Sequence, residues 1–268
     1  MKSVLLGMFT LSASLLAAQP RPLIGNGTKH AHASIASIGS SRTGAELLVT
    51  LSVDPGWHVS WRNPGDTGLP TRLVWTLPNG VRVRNETWPV PVIAHTNVGA
   101  THTLEGEIPW VISFAADSAS AADRLLTLTI KYGVCRDVCI PEQLTVQGVL
   151  PGFASSPKTV ISEAATARLA PDRGWIAARR RSPTQVCLDR VPLTGSGALP
   201  EVIADSGLSL DAALPLTPAS TAARHGFVMN ISSGTVLPDR AKVLVVHGKS
   251  GVAAYLDFHR PAPGCAVR

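Results

Sequence analysis

The sequence predicts an all-β protein: an antiparallel β-sandwich of immunoglobulin-like size, then a short helix, then a second, smaller β-sandwich. Three observations carry this. Short β-branched runs recur along the 268 residues, punctuated by 23 Gly and 21 Pro, which is the pattern of sandwiches and not of helix bundles. Hydrophobic residues make up 45% and charged residues 16%, so a packed core is available and disorder is not expected. Several runs alternate apolar and polar residues, as strands with one buried face do.

The chain opens with MKSVLLGMFTLSASLLAAQP. Lys2 gives a positive start, residues 4–16 an apolar run, and Ala17 and Ala18 small residues for cleavage. Residues 1–18 are read as a secretory signal peptide. The run falls short of the about 20 apolar residues that span a bilayer. The mature protein is expected to be exported and soluble, and monomeric by default.

A first domain is expected over residues 19–153. Residues 19–43 are an extended lead-in, in which His30 and His32 are assigned no metal. ELLVTLSV alternates from Glu46 onward. GWHVSWRNPGDTGLP is an aromatic strand running into a Pro/Gly loop. RLVWTL, VRVRNETW, EIPWVISF, LLTLTIKY and QLTVQGVL complete the set. Seven or so strands in about 110 residues suit an immunoglobulin-like sandwich. Trp57, Trp61 and Trp75 are read as core, with one of them bordering the cysteines. Asp66 is read as a turn residue.

PGFASSP then reads as a linker, and residues 154–170 as a linker helix capped by Ser156 with Pro157 in its first turn. Residues 171–268 form the second β-rich domain, from TQVCLDRVPL, GLSLDAAL, GFVMNISS, AKVLVVHG and VAAYLDFH.

The formal charge is +6, spread over scattered Arg with one cluster at Arg179, Arg180 and Arg181. No nucleic-acid motif accompanies the cluster, so it is read as a solvated loop. No Ser-His-Asp order, phosphate loop or zinc-hydrolase motif supports a hydrolase.

The chemistry lies in the four cysteines, which allow three pairings. Cys135 and Cys139 fall in the first domain, Cys187 and Cys265 in the second, so pairing within domains is expected. A Cys187–Cys265 bridge closes a loop of roughly 80 residues, worth about 4–5 kcal/mol in the chain-entropy model, and reads as a structural staple. A Cys135–Cys139 bridge closes about five residues and gives only about 2 kcal/mol. The chain must turn at Arg136, Asp137 and Val138 to close it, because four extended residues reach about 13 Å. A strained or exposed bridge of that kind is readily reduced, and Arg136 favours the thiolate of Cys135. Three readings stay open on spacing alone: a hairpin clip, a copper or zinc site completed by His58, His95 or His102, or a redox pair.

The flanking residues add a family resemblance. YGVCRDVCIPEQLTV resembles the active-site segment of the amino-terminal domain of DsbD/ScsB-type periplasmic thiol:disulfide reductases. GWHVSWRNPGDTGLPTRLVW resembles that family's "GW…W-x-NPGD-x-GLP" strand and loop, NETWPVP its WP-x-P segment, and LEGEIPWVISF its EGE strand. The order and spacing of all four agree over residues 40–150.

The resemblance implies an immunoglobulin-like fold in which Cys135 and Cys139 are the redox pair. It implies a protein-disulfide reductase needing no cofactor. A membrane-embedded or thioredoxin-like donor reduces the pair, which then reduces oxidised periplasmic proteins. Many relatives continue into membrane and thioredoxin-like domains, whereas this sequence ends at Arg268, so the donor is expected in trans. The family pattern points to Cys139 as the attacking cysteine. Relatives carry aromatic residues in the loop before EGE; here the stretch is NVGATHTLEGE, so His102 or Leu104 is expected to cover the cysteines. Tyr132 is expected to shield Cys135, and Trp61 to border the site. Glu105 and Glu107 are candidate local bases.

Overall fold

The computed structural model describes residues 23–24, 28–41, 44–97, 99–117, 125–150, 160–192, 200–206, 214–218, 226–231 and 235–265. The signal-peptide reading, Ser156, Pro157 and most of GLSLDAAL lie outside them.

Two sheets form the first unit. Its strands in chain order are β1 (Leu23–Ile24), β2 (Ala31–Ser41), β3 (Gly44–Val53), β4 (His58–Gly65), β5 (Arg72–Thr76), β6 (Val81–Thr87), β7 (Val92–Thr96), β8 (Gly99–Glu105), β9 (Glu107–Ala116), β10 (Leu125–Cys135) and β11 (Cys139–Val149). One sheet runs β1-β2-β3-β9-β6 and the other β11-β10-β4-β8-β7. All the pairings are antiparallel. Strand β10 shares one edge between two partners. β4 takes its cysteine end and β5 pairs Thr127–Lys131 further back.

The alternation read in LLTLTIKY is the alternation observed. Leu126, Leu128, Ile130, Tyr132 and Val134 are buried, while Leu125 and Lys131 are exposed. The facing sheet contributes Leu47, Val49, Leu51, Ile108, Trp110 and Ile112, all at 1% exposure or less. The lead-in is part of this sheet: β2 pairs along β3 from Ala31↔Val53 to Ser41↔Gly44. The stretch before EGE, expected as a loop, is the β7–β8 hairpin.

Among the described residues, the linker helix covers only part of the predicted 154–170. Helix α1 is Glu163–Arg168, and its cap is Ser162, whose hydroxyl accepts from Ala165 N. Ser162 is followed by Glu163 and then Ala-rich sequence, which suits a helix start. The helix docks onto the first unit. Val90 N donates to Arg168 O at 2.8 Å, and Ala170 N to Trp88 O at 2.9 Å.

The second unit comprises β12 (Asp172–Ser182), β13 (Gln185–Asp189), β14 (Glu201–Ser206), β15 (Leu214–Pro218), β16 (Gly226–Asn230), β17 (Arg240–His247) and β18 (Ser250–Asp257). Where the sequence predicts a second sandwich, the strands close into a barrel in the order β12-β13-β16-β15-β14-β17-β18. Closure comes from a parallel pairing of β12 with β18, Trp175↔Tyr255 to Ala177↔Asp257, which removes the open edges a sandwich would leave. Short strands cannot by themselves distinguish these two outcomes, because both bury alternate residues. Arg179 and Arg180 lie exposed on β12, where Arg180 donates to Pro183 O and Thr235 O.

The two units are not insulated. Ile203, Leu244 and Val246 of the barrel belong to the same buried cluster as Trp61, Trp88 and Trp110. Polar contacts accompany them: Asn63 Nδ2 donates to Ala204 O at 2.9 Å, and His95 meets Glu201 at 3.0 Å. Among the described residues, no helix is long and apolar enough to cross a membrane.

Candidate functional site

The β10–β11 hairpin pairs without a break from Leu125↔Val149 to Cys135↔Cys139. Its turn is Arg136-Asp137-Val138, tightened by Arg136 N donating to Val138 O at 3.2 Å. Cys135 and Cys139 therefore occupy the last rung, with Cα atoms 4.1 Å apart, and form a disulfide. A second disulfide joins Cys187 on β13 to Cys265, across 78 residues. Cys265 sits in a 3-10 turn, Pro263–Cys265, after the barrel.

The hairpin bridge is asymmetric. Cys135 is 2% exposed, whereas Cys139 is exposed along with the whole turn and Ile140. The asymmetry follows from position. Cys135 lies on a strand covered by a neighbour on each side, β11 and β4, while Cys139 begins a sheet-edge strand.

The neighbours of Cys135 are set by register. His58 of β4 pairs directly with Cys135, and Glu105 of β8 pairs directly with His58. Residues opposite one another on antiparallel strands have Cβ atoms about 4.5–5.5 Å apart. Glu105, His58, Cys135 and Cys139 thus form one row across four strands at the same end of the sheet. Neither the spacing nor the resemblance marked His58 above His95 or His102; only strand register singles it out.

Arg168 holds the outer end of this row. Its guanidinium donates to the backbone carbonyls of Glu105, at 2.9 Å, and of Glu107, gripping the β8–β9 turn from α1. Burial lowers the Arg168 pKa from its ordinary value, against the pull of the Glu105 and Glu107 carboxylates. Sequence reasoning missed this residue, because the grip depends on where the linker helix docks.

A stacked column flanks the row. The Arg136 guanidinium lies over the Trp57 ring at 5.0 Å, and the other partner of Trp57 is His30, stacked at 3.9 Å. His30 Nδ1 meets Asp54 Oδ2 at 3.2 Å. Trp57, not Trp61, is the tryptophan that meets the turn between the cysteines.

The other predicted flanking residues sit elsewhere. Tyr132 is buried on the core face, its hydroxyl 2.9 Å from Thr28 Oγ1 and donating to Glu142 Oε2 at 3.2 Å. Burial is the main cause that pushes its pKa up to about 12. Cys135 lies on the opposite face of β10, so Tyr132 supports the hairpin from beneath. Trp61 is core, its Nε1 donating to Pro89 O at 3.0 Å. Leu104 is core and pairs with Val59. His102 is fully buried, with Nδ1 2.8 Å from Asn63 O and, among the described residues, no partner for Nε2. Burial lowers the His102 pKa from its ordinary value. Neither His102 nor Leu104 covers the disulfide, because both point into the core from β8.

The cover on the outer face comes from the NPGDTGLP loop. A side chain added at Gly133 would meet Leu69 Cβ at 2.7 Å, so Leu69 packs on the bare Gly133 backbone. Gly133 precedes Cys135 by two residues and shares its face. The loop is fixed by Asp66, whose carboxylate accepts Ala100 N at 2.7 Å, and by Asn63, whose side-chain oxygen accepts Gly65 N at 3.0 Å.

Of the three histidines offered as a third metal ligand, only His58 adjoins the cysteines. His95 meets Glu201, and His102 meets Asn63 O. Among the described residues, no group of three or more His, Cys, Asp or Glu is arranged to hold a metal ion.

Residues 29–151 match the family described as thiol:disulfide interchange protein DsbD, N-terminal. Among solved structures, the chain is similar to the N-terminal periplasmic domain of ScsB from Proteus mirabilis, at 18% identity and a TM-score of 0.55, over 87% of this chain and 95% of that one. The GAE domain of yeast GGA1 gives a TM-score of 0.33 at 14% identity, over 49% of this chain and 100% of that one. No curated protein matches the chain.

Proposed function

Residues 29–151 belong to the DsbD/ScsB family of N-terminal domains, and on that premise we propose that this is an exported thiol:disulfide interchange protein. In this reading it passes electron pairs through Cys135 and Cys139 to oxidised periplasmic proteins. Exchange is assigned to a redox domain over residues 19–153, joined by a linker over 154–170 to a β-rich domain over 171–268.

One observation carries the reading. Within the family-matching segment, the bridge presents an exposed Cys139 and a buried Cys135. A structural clip has no need of that asymmetry, whereas an exchange site does. One sulfur must be reachable by a partner, and the other must be kept for the intramolecular step.

A donor thiolate, from a membrane-embedded or thioredoxin-like protein, attacks Cys139 Sγ. A donor–Cys139 bond forms, the Cys135–Cys139 bond breaks, and its electron pair leaves on Cys135. A second donor thiolate attacks the donor's own sulfur and releases Cys139, leaving the pair reduced and the donor oxidised. In the delivering half, the Cys139 thiolate attacks a substrate disulfide and one substrate thiolate departs. Cys135 then attacks Cys139 Sγ, restoring the bridge and releasing the second substrate thiol. Arg136, held beside the pair by Trp57, favours the thiolates. Exposed Val138 and Ile140, at 69% and 39%, give a docking partner apolar surface around Cys139.

The test is capture. Reduced Cys135→Ser, mixed with an oxidised thioredoxin-like protein, is predicted to accumulate a mixed disulfide through Cys139. Reduced Cys139→Ser is predicted to accumulate little. Equal capture by both variants, or by neither, contradicts the assignment.

A further inference from the structure

Cys135 faces a problem that its burial creates. As the resolving sulfur it must lose a proton before it attacks Cys139, and as a leaving group it must bear negative charge. Burial in apolar surroundings opposes that charge. Cys135 is 2% exposed, and on its face Leu69 lies over Gly133. A side chain able to take and return a proton is needed on the Cys135 face.

Register supplies one. His58 pairs directly with Cys135, is half-buried, and is the titratable group that β4 sets on this rung. On its other side it pairs with Glu105. A carboxylate opposite an imidazole offers an acceptor to a ring N–H and so orients the ring. Glu105 is itself held in place, because Arg168 grips the carbonyls of Glu105 and Glu107. The order Glu105, His58, Cys135 is that of an oriented base beside a nucleophile.

We infer that His58 is the proton-handling group of the exchange, with Glu105 as its positioning residue. This rests on the proposed function above. In the delivering half, His58 takes the Cys135 thiol proton as Cys135 Sγ attacks Cys139 Sγ. The electron pair of the breaking substrate–Cys139 bond leaves on the substrate sulfur. In the receiving half, the imidazolium returns the proton to Cys135 as the Cys135–Cys139 bond breaks. No oxidant or reductant beyond the two protein partners is required.

The charged and titratable groups around His58 come from each neighbouring element. β8 contributes Glu105, the β8–β9 turn leads to Glu107, and α1 contributes Arg168. β10 contributes Cys135, and the hairpin turn Arg136 and Asp137, paired with each other at 3.2 Å. His30 and Asp54 lie beyond Trp57.

The experiment uses the full mature chain, reduced at Cys135–Cys139 only, mixed with the aromatic disulfide 5,5′-dithiobis(2-nitrobenzoate). Attack by one cysteine releases a first coloured thiol, and resolution by the other releases a second. The rate of the second phase is followed against pH. The wild type is expected to show an inflection contributed by the His58 side chain, in addition to that of the thiol. His58→Gln is expected to slow the second phase at least about tenfold relative to the first at pH 7 and to remove that inflection. His58→Lys, a fixed cation, is expected to recover part of the rate without the inflection. Glu105→Gln, which removes a carboxylate that positions the ring, should slow the second phase by less than His58→Gln does. A His58→Gln protein with the wild-type rate ratio and pH profile overturns the inference. So does a slowed second phase whose pH profile is unchanged, which would mark His58 as merely structural. A wild type that releases no second thiol instead refutes the exchange function itself.

Discussion

Arg62 on β4 and Asp205 on β14 meet at 2.6 Å across the junction of the two β-rich units. The Asp205 side chain is only 3% exposed, and Lys242 Nζ lies 3.8 Å from the same carboxylate oxygen. The Arg62 guanidinium rests against the Trp61 and Trp88 rings, at 4.9 Å from each centroid. Burial lowers Arg62 and raises Asp205 from their ordinary pKa values, and each group's charge opposes the shift in the other.

Removing one partner strands the other's charge. Asp205→Ala is predicted to destabilise the oxidised protein by about 3–5 kcal/mol, because it leaves a mostly buried guanidinium without the carboxylate that pairs with it. Replacing both, as Arg62→Met with Asp205→Leu, is predicted to recover most of the loss. Urea-denaturation midpoints check this. A single variant costing no more than a surface pair would show that the junction does not rest on this contact.

His102 predicts a pH dependence of stability. Its folded-state pKa is lowered by burial, below an unfolded value of about 6.5. As pH falls, the unfolded chain therefore takes up a proton first. The stability tied to the neutral ring is complete above about pH 6.5 and is lost as pH drops toward the lowered value. The slope from this one group is at most about 1.4 kcal/mol per pH unit. His102→Asn keeps a donor toward Asn63 O and removes the titration. Its stability should fall less than that of the wild type between pH 7.5 and 5.5, as read by denaturation at both values. Identical losses would refute the assignment.

Leu69 predicts the reactivity of the buried cysteine. Gly133→Ala places a methyl group where Leu69 now packs, at 2.7 Å from its Cβ. The leucine must move off the outer face of β10. Alkylation of Cys135 in the reduced protein should then accelerate several-fold, with Cys139 little changed. Leu69→Ala should act in the same direction. Mass spectrometry of iodoacetamide adducts resolves the two sites. Unchanged Cys135 reactivity in both variants would show that the loop is not its cover.

The second bridge is predicted to act as a staple. Cys187 is 0% and Cys265 2% exposed, and the bridge spans 78 residues. Replacing both by Ala should cost about 4–5 kcal/mol, by the loop-entropy model. The denaturation midpoint of the double variant tests this. A loss near 1 kcal/mol would mean that the barrel is held by its ladder alone.

The strands of the first unit were legible where alternation is strong, as in LLTLTIKY and ELLVTLSV. They were hidden where it is weak: in the β7–β8 hairpin, whose His102 and Thr side chains look like loop sequence, and in β2, which is rich in Ala and Ser. The barrel was hidden because a parallel β12–β18 pairing joins residues about 80 apart, and no local pattern records it. Cys135 and Cys139 stood out by spacing and flanking motifs. His58, Leu69 and Arg168 did not, because each reaches the site through register, loop path or helix docking. His102 and Leu104 were misplaced for a related reason: a position before EGE gave their proximity, while strand parity turned them inward.

The most direct test of the account is the reduction potential of Cys135–Cys139. Purified mature protein is equilibrated in dithiothreitol or glutathione buffers, and free thiols are counted with a mass tag. The account predicts that Cys135 and Cys139 titrate together and reversibly above about −300 mV while Cys187–Cys265 stays closed. Both bridges opening only together, well below that potential, would contradict the exchange function and leave Cys135–Cys139 as a structural clip.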